Sequence, residues 1–372
     1  MALLFRNTGG DLTIASDIDL GGAGLNRPSW MGFEAQQDVL VSATISDGFV
    51  SAAKDAALKS ATSSFNLNFD SGRDIVIGAD TIVRTGTGEI RVDAGRDLVL
   101  ASNTSVIYTA GVKTPVVAGF VVGSKLGDYP TRGGDITLQA GRDIIATVVR
   151  QSTAAWLYHY GETNWTGDPA ASTVKDQTSW SIVFANFESG VGALGGGDVR
   201  VRAGRDSRDL SVAIPTTGHL TTPTTRAGVG GPVARAEDLV VRGGGNLDIE
   251  TGRDLLGGVY MLGRGHAELE AGNRIAASSE TGAQRNGNWN PRPGEKNFVD
   301  ASVNVLIGLM DATASLNAVG DLTIEGIYDP MLIGQVAGNL NAYRGSGFVS
   351  YSDRAAVDAV SISGKVLYQG NS

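Results

Sequence analysis

Five aspartates occupy the same place in a recurring tripeptide, and carboxylates at a fixed repeat are this chain's first candidates for chemistry. The tripeptides are Gly72-Arg73-Asp74, Gly95-Arg96-Asp97, Gly141-Arg142-Asp143, Gly204-Arg205-Asp206 and Gly252-Arg253-Asp254, with a degenerate copy at Gly272-Asn273-Arg274. Stacked in register on neighbouring strands, their carboxylates would lie about 4.8 Å apart. Retaining glycosidases hold two carboxylates about 5 Å apart, so the spacing raises the question of glycoside chemistry. An active site is a local exception, however, and these aspartates are the rule. Each has an arginine beside it, which offsets the repulsion within a ladder of like charges. We therefore read all five tripeptides as structural turns. Outside the repeat, Glu162, Asp168 and Asp176 stand among tryptophans and are the alternative candidates for a polysaccharide-degrading site.

The other chemical signals are few. Three histidines, His159, His219 and His266, lie far apart and cysteine is absent, so neither a metal centre nor a disulfide framework is expected. No nucleophile triad, phosphate loop or dinucleotide fingerprint stands in a suitable context, and no cofactor is expected. Gly243-Gly244-Gly245 leads into a strand pattern and lacks the helix that a phosphate site needs. The aromatic residues are concentrated in one insert, at 151–195. Trp156, Tyr158, Tyr160, Trp165 and Trp180 are its candidate binding residues for sugar or protein, since function sits on loops that a rigid scaffold holds. The competing reading is a layer of rings packed on the scaffold's flank.

The elements that position these residues follow from a second signal. Eight residues before most of the Gly-Arg-Asp aspartates stands a Gly-Asp or Gly-Asn pair, followed by apolar-polar-apolar. Examples are Gly134-Asp135-Ile136-Thr137-Leu138, Gly197-Asp198-Val199-Arg200-Val201 and Gly245-Asn246-Leu247-Asp248-Ile249. Glycine permits the sharp turn, the Asp or Asn side chain bonds the local backbone, and the alternating triplet is a half-buried strand. Two turn signals at a fixed offset, repeated along a chain, define a solenoid. With short strands and a period of about 20–24 residues, the fold class expected is all-β, a parallel β-helix with loop inserts. The tripeptide steps of 46 and 48 residues read as double units in which one copy has drifted, which predicts about 14 coils and a rod of roughly 65 Å. The domain organisation expected is one β-helix over 1–372. The aromatic insert, a Thr/Pro/Gly-rich exposed loop at 214–232 and a loop at 280–296 decorate it, and a short helix is possible around Ser51–Lys59.

Composition agrees. The chain has 372 residues, 52 of them glycine, about twice the usual share and suited to a turn-rich β fold. Its net charge of −9 makes nucleic acid an unsuitable partner. No apolar run is long enough for a membrane-spanning helix. Repeat motifs reach both ends, at Gly9-Gly10-Asp11-Leu12-Thr13-Ile14 and Ser361-Ile362-Ser363-Gly364-Lys365-Val366-Leu367. This leads us to expect a segment of a longer rod, and open coil ends would permit self-association.

The combined pattern, Gly-Gly-Asp, a strand triplet, then Ala-Gly-Arg-Asp, resembles the repeats of filamentous haemagglutinin-like exoproteins. The most specific stretch is Val191 to Asp206, with Asp209-Leu210-Ser211-Val212 after it. The resemblance covers roughly residues 65–345. It implies a right-handed parallel β-helix and export by two-partner secretion through an outer-membrane pore. It further implies a bacterial cell-surface protein that mediates adhesion, aggregation or biofilm, with host or bacterial surface glycans or proteins as partners. In some relatives the rod presents a toxin tip. The chain departs from the family in lacking the N-terminal secretion domain and a toxin-like tail. The function expected is a non-catalytic shaft segment of a secreted adhesin, with a polysaccharide-binding or -degrading β-helix enzyme and a stalk presenting a contact-dependent toxin tip as the alternatives.

Overall fold

The apolar-polar-apolar triplets form the strands, and the Gly-Arg-Asp tripeptides turn the corners between them. The computed structural model describes residues 2–21, 28–60, 64–115, 127–149, 151, 153–164, 173–221, 234–235, 239–278, 304–331, 348–349 and 352–370. Among the described residues, every coil but the last contributes one strand to each of three stacked parallel sheets, and the last, Ala356–Tyr368, contributes to the first two. In the first sheet, neighbours pair in order from Ala2–Asn7 through Trp30–Ala35, Asn66–Ser71, Ile90–Ala94, Ile136–Ala140, Val199–Ala203 and Leu247–Thr251 to Ala356–Ser361. The second sheet runs from Leu12–Ile14 to Val366–Tyr368, and the third begins at Ile18–Asp19. Two strands, Val259–Ala271 and Val305–Ala318, pass through a corner and serve the third sheet and then the first. The architecture is a parallel β-helix.

Strand sequence explains which faces are covered. Ile90-Arg91-Val92-Asp93-Ala94 alternates, and only its odd members face the interior. The same alternation appears in Ile136–Ala140 and Val199–Ala203. Third-sheet strands such as Val106-Ile107-Tyr108-Thr109 and Val212-Ala213-Ile214 are buried at every position. A strand buried on both faces reads as a continuous apolar run. The interior is a stack of like residues: Phe5, Phe33 and Phe69 have ring centroids 5.2 and 5.4 Å apart, and Val92, Leu138, Val201 and Ile249 continue the column.

Coil number differs from the sequence expectation. Among the described residues the first sheet holds ten strands, so its nine intervals make a stack of about 43 Å. The long steps contain no drifted copy. Ala94 lies directly beside Ala140, and Ala203 beside Thr251. The additional residues leave the stack instead. Between the fourth and fifth coils they include the antiparallel pair Val112–Lys113 and Pro130–Thr131. Between the sixth and seventh they form strands Thr216–Leu220 and Leu239–Gly243.

Residues 51–59 are turns, not the helix expected from their alanines. The amide of Val50 bonds the Ala57 carbonyl, and the carbonyl of Ala53 accepts from the buried Arg84 guanidinium. These tertiary bonds override a weak local propensity.

The corner glycines are required by contact. A Cβ on Gly141 would fall inside the van der Waals radius of the Gly95 carbonyl oxygen, whereas one on Gly9 would meet nothing within 4 Å. Gly141→Ala is expected to destabilise by more than about 2 kcal/mol, and Gly9→Ala to stay within about 0.5 kcal/mol of the parent, both read by chemical denaturation. Equal effects would show that the corner tolerates a side chain.

Candidate functional site

Two groups of sequence candidates can now be placed: the corner tripeptides and the aromatic insert. At each corner between the first and second sheets, the arginine of one coil binds the aspartate of the coil before it. Arg96 binds Asp74 through Nε and Nη2, Arg142 binds Asp97, Arg205 binds Asp143 and Arg253 binds Asp206, with Nε–Oδ1 distances of 2.7–2.8 Å. The same carboxylates accept the amide of the next aspartate, Asp97 from Asp74 onward, at 3.2–3.3 Å. The backbone repeats the pattern, with the Arg96, Arg142, Arg205 and Arg253 amides each donating 2.7 Å bonds to the arginine carbonyl one coil earlier. In the degenerate copy both positions donate: Asn273 Nδ2 and Arg274 Nε both reach Asp254.

Sequence reasoning found the motif at Gly9–Ile14 but did not place Asp11 in this column, and it missed Asp38. Asp11 and Asp38 occupy the same corner, since the Asp38 amide bonds Asp11 Oδ1 at 3.1 Å and Arg73 binds Asp38 at 2.8 Å. In those coils the Gly-Arg part of the signal is replaced by Gly-Gly and Gln-Gln. The apolar triplets that follow, Leu12-Thr13-Ile14 and Val39-Leu40-Val41, were the available signal.

At two corners the ladder holds its carboxylate in the charged form. Each bidentate carboxylate accepts a guanidinium and a backbone amide. The hydrogen bond from Arg96 holds Asp74 below the usual carboxylate range against the opposing effect of burial. Asp206 is also lowered: burial opposes, and the bond and charge of Arg253 prevail. Among the described residues, no group of three or more His, Cys, Asp or Glu could hold a metal ion.

The aromatic insert is a hairpin rather than a loop. Leu157–Asn164 pairs antiparallel with Thr173–Ile182, placing Tyr158 opposite Ser181 and His159 opposite Trp180. Thr216–Leu220 and Leu239–Gly243 extend this sheet, so the start of the 214–232 region is a buried strand and not an exposed loop. Residues 222–232, the 280–296 loop, Trp165 and Asp168 lie outside the described residues. Tyr160, Glu162 and Asp176 are placed by their backbone alone. The last part of the insert, Gly190–Ala193, belongs to the third sheet of the β-helix.

Three candidate binding rings are not on a surface. Trp156, Tyr158 and Trp180 are 2, 1 and 5% exposed. Trp156, Trp180, Phe184 and Phe187 form one apolar cluster with Tyr108, Ala213, Met261 and Met310, the outward residues of the third sheet. The physical reason is the continuous apolar sequence of that sheet, which needs a cover. Small residues make room for the rings: a Cβ on Gly192 would crowd Phe187 and Leu194, and one on Gly218 would enter the Trp180 indole. The indole Nε1 donates to Thr216 Oγ1 at 3.2 Å. At one end of this layer Arg84 is fully buried, lies 3.8 Å over the Phe49 ring, and donates to Ser46 Oγ and the Tyr108 hydroxyl.

This arrangement defines a parallel β-helix with a covering antiparallel sheet on one face. Compared with known proteins, the chain matches no family model, no curated protein and no solved structure.

The covering sheet contains two buried histidines, His159 and His219. Burial lowers His159 from 6.5 to about 4 and lowers His219 in the same direction. A depressed histidine is neutral when folded, so its contribution is complete above the unfolded value and is lost as pH falls. Stability should therefore decline between about pH 6.5 and pH 4, by about 3 kcal/mol from His159. His159→Phe should flatten that part of a denaturation-versus-pH curve. An unchanged slope would show that His159 does not carry it.

Proposed function

We propose that this chain is a non-catalytic shaft segment of a secreted, cell-surface bacterial filamentous adhesin. The observation that carries the proposal is the corner ladder, in which the repeated charged side chains bind one another along the stack. Arg96, Arg142, Arg205 and Arg253 each bridge one coil to the coil before it. A rod built this way extends by adding coils, which suits a part whose task is reach. The resemblance of the repeat to filamentous haemagglutinin-like exoproteins supports the bacterial surface setting and export through an outer-membrane pore. Adhesion, aggregation or biofilm formation is then the process served.

The insert's described rings favour a structural role over direct contact, since Trp156 and Trp180 lie in an internal cluster. Trp180→Ala should cost about 3–5 kcal/mol in chemical denaturation, as expected for an emptied core position. Retained stability would reopen the insert as a contact surface. For the function itself, antibodies raised against the purified chain should label intact cells of the producing bacterium. The chain should also generate no new reducing or unsaturated ends on a broad polysaccharide panel. Labelling confined to permeabilised cells, or steady release of such ends, would overturn the proposal.

A further inference from the structure

The outer face of the second sheet has a composition that the scaffold role does not require. Its outward column runs Leu40, Val76, Val99, Ile145 and Arg208, one residue per coil in direct register. The four aliphatic side chains are half-buried rather than covered, and Arg208 is exposed. No carboxylate stands among these five. Arg208 makes no ion pair within 4 Å among the described residues, although its charge acts on the adjacent Asp209.

The arginine ladder forms one edge of this strip. Arg96, Arg142, Arg205 and Arg253 are 43–50% exposed, while the carboxylates they bind are 7–17% exposed. Solvent therefore meets guanidinium rather than carboxylate. Each of these arginines uses Nε and Nη2 for its aspartate, and Nη1 has no protein partner among the described residues. The edge thus presents one uncommitted Nη1 amino group per coil, at a repeat of about 4.8 Å.

We propose that this strip docks a linear polyuronate, an unbranched polysaccharide with one carboxylate per sugar, lying along the rod axis. A pyranose advances along its chain by roughly the height of one coil, so successive sugars meet successive coils. The aliphatic column seats the C–H faces of the rings, and the free Nη1 groups and Arg208 face the carboxylates. Guanidinium–carboxylate bonds are charge-assisted and directional. Each contact is weak because an aspartate already lies beneath each ladder arginine, and linkage along one polymer makes the contacts additive. The chain's net charge of −9 repels polyanions at long range, so binding depends on this local strip. The inference assigns a ligand class to the proposed adhesive rod and rests on that reading. Binding is measured on the purified chain, so the two fail separately.

The test is calorimetric titration of the full chain with polygalacturonate oligomers, beside their neutral methyl esters. Saturable binding that strengthens with oligomer length is expected, with the methyl esters bound at least about tenfold more weakly. Arg208→Glu and Ile145→Asp change outward positions away from the ladder bonds. Each should weaken binding by about tenfold or more while the melting temperature stays within a few degrees. Val99→Asp serves if either variant fails to fold. No saturable binding by the parent chain, equal binding of the methyl esters, or unchanged affinity in the folded variants would overturn the proposal.

Discussion

The close approach of one corner to the next is the constraint on which the remaining structure depends. Gly95, Gly141, Gly204 and Gly252 each lie against the carbonyl of the glycine one coil earlier, nearer than any side chain permits. That approach brings the arginine backbone groups to 2.7 Å and sets the aspartate beneath the next arginine. The three residues of the tripeptide thus have separate tasks. Glycine allows contact, arginine bridges upward, and aspartate receives both a side chain and an amide. Like carboxylates in a row repel, and the interleaved guanidiniums turn the row into alternating charge. Once the corner has this register, the inward residues of the first and second sheets stack in columns.

The three faces of the helix then divide by what covers them. The first sheet alternates and presents charge to solvent, as in Arg91 paired with Asp93 and Arg202 with Asp248. The third is apolar on both faces and is closed by the antiparallel sheet and its rings. The second, three residues wide, is left partly open. Chain that leaves the stack serves the third face: strands Leu157–Asn164, Thr173–Ile182 and Thr216–Leu220 come from two separate excursions and join one sheet. The inserts are therefore a second structural layer over a helix that would otherwise expose an apolar wall.

Much of this was legible in the residues. The fixed offset between Gly-Asp and Gly-Arg-Asp signals a coil because both turns use side chains that bond backbone, as when Asp198 bonds the Asn246 amide and Asp206 bonds that of Asp254. The coil number was misread because tripeptide spacing measures chain length, not stacked height. Gly95 and Gly141 are direct neighbours although many residues separate them, because the intervening chain leaves and returns. The rings of the insert were ambiguous because aromatic residues suit both a ligand surface and a core. The deciding signal lay elsewhere, in the unbroken apolar runs Val106-Ile107-Tyr108 and Tyr260-Met261-Leu262, which call for a cover. Arg84 was invisible to pattern reading, since a lone arginine in a strand is normally outward and wet, whereas here the cover folds over it.

The central claim is that the corners, not the strands alone, hold the coils together. Amide hydrogen exchange measured residue by residue tests it most directly. Exchange at Arg96, Arg142, Arg205 and Arg253, whose amides bond the previous corner at 2.7 Å, should be as slow as at the strand amides of Val92 and Val201. Fast, loop-like exchange at those four arginines beside slow exchange in the strands would contradict the claim and leave the ladder a surface ornament.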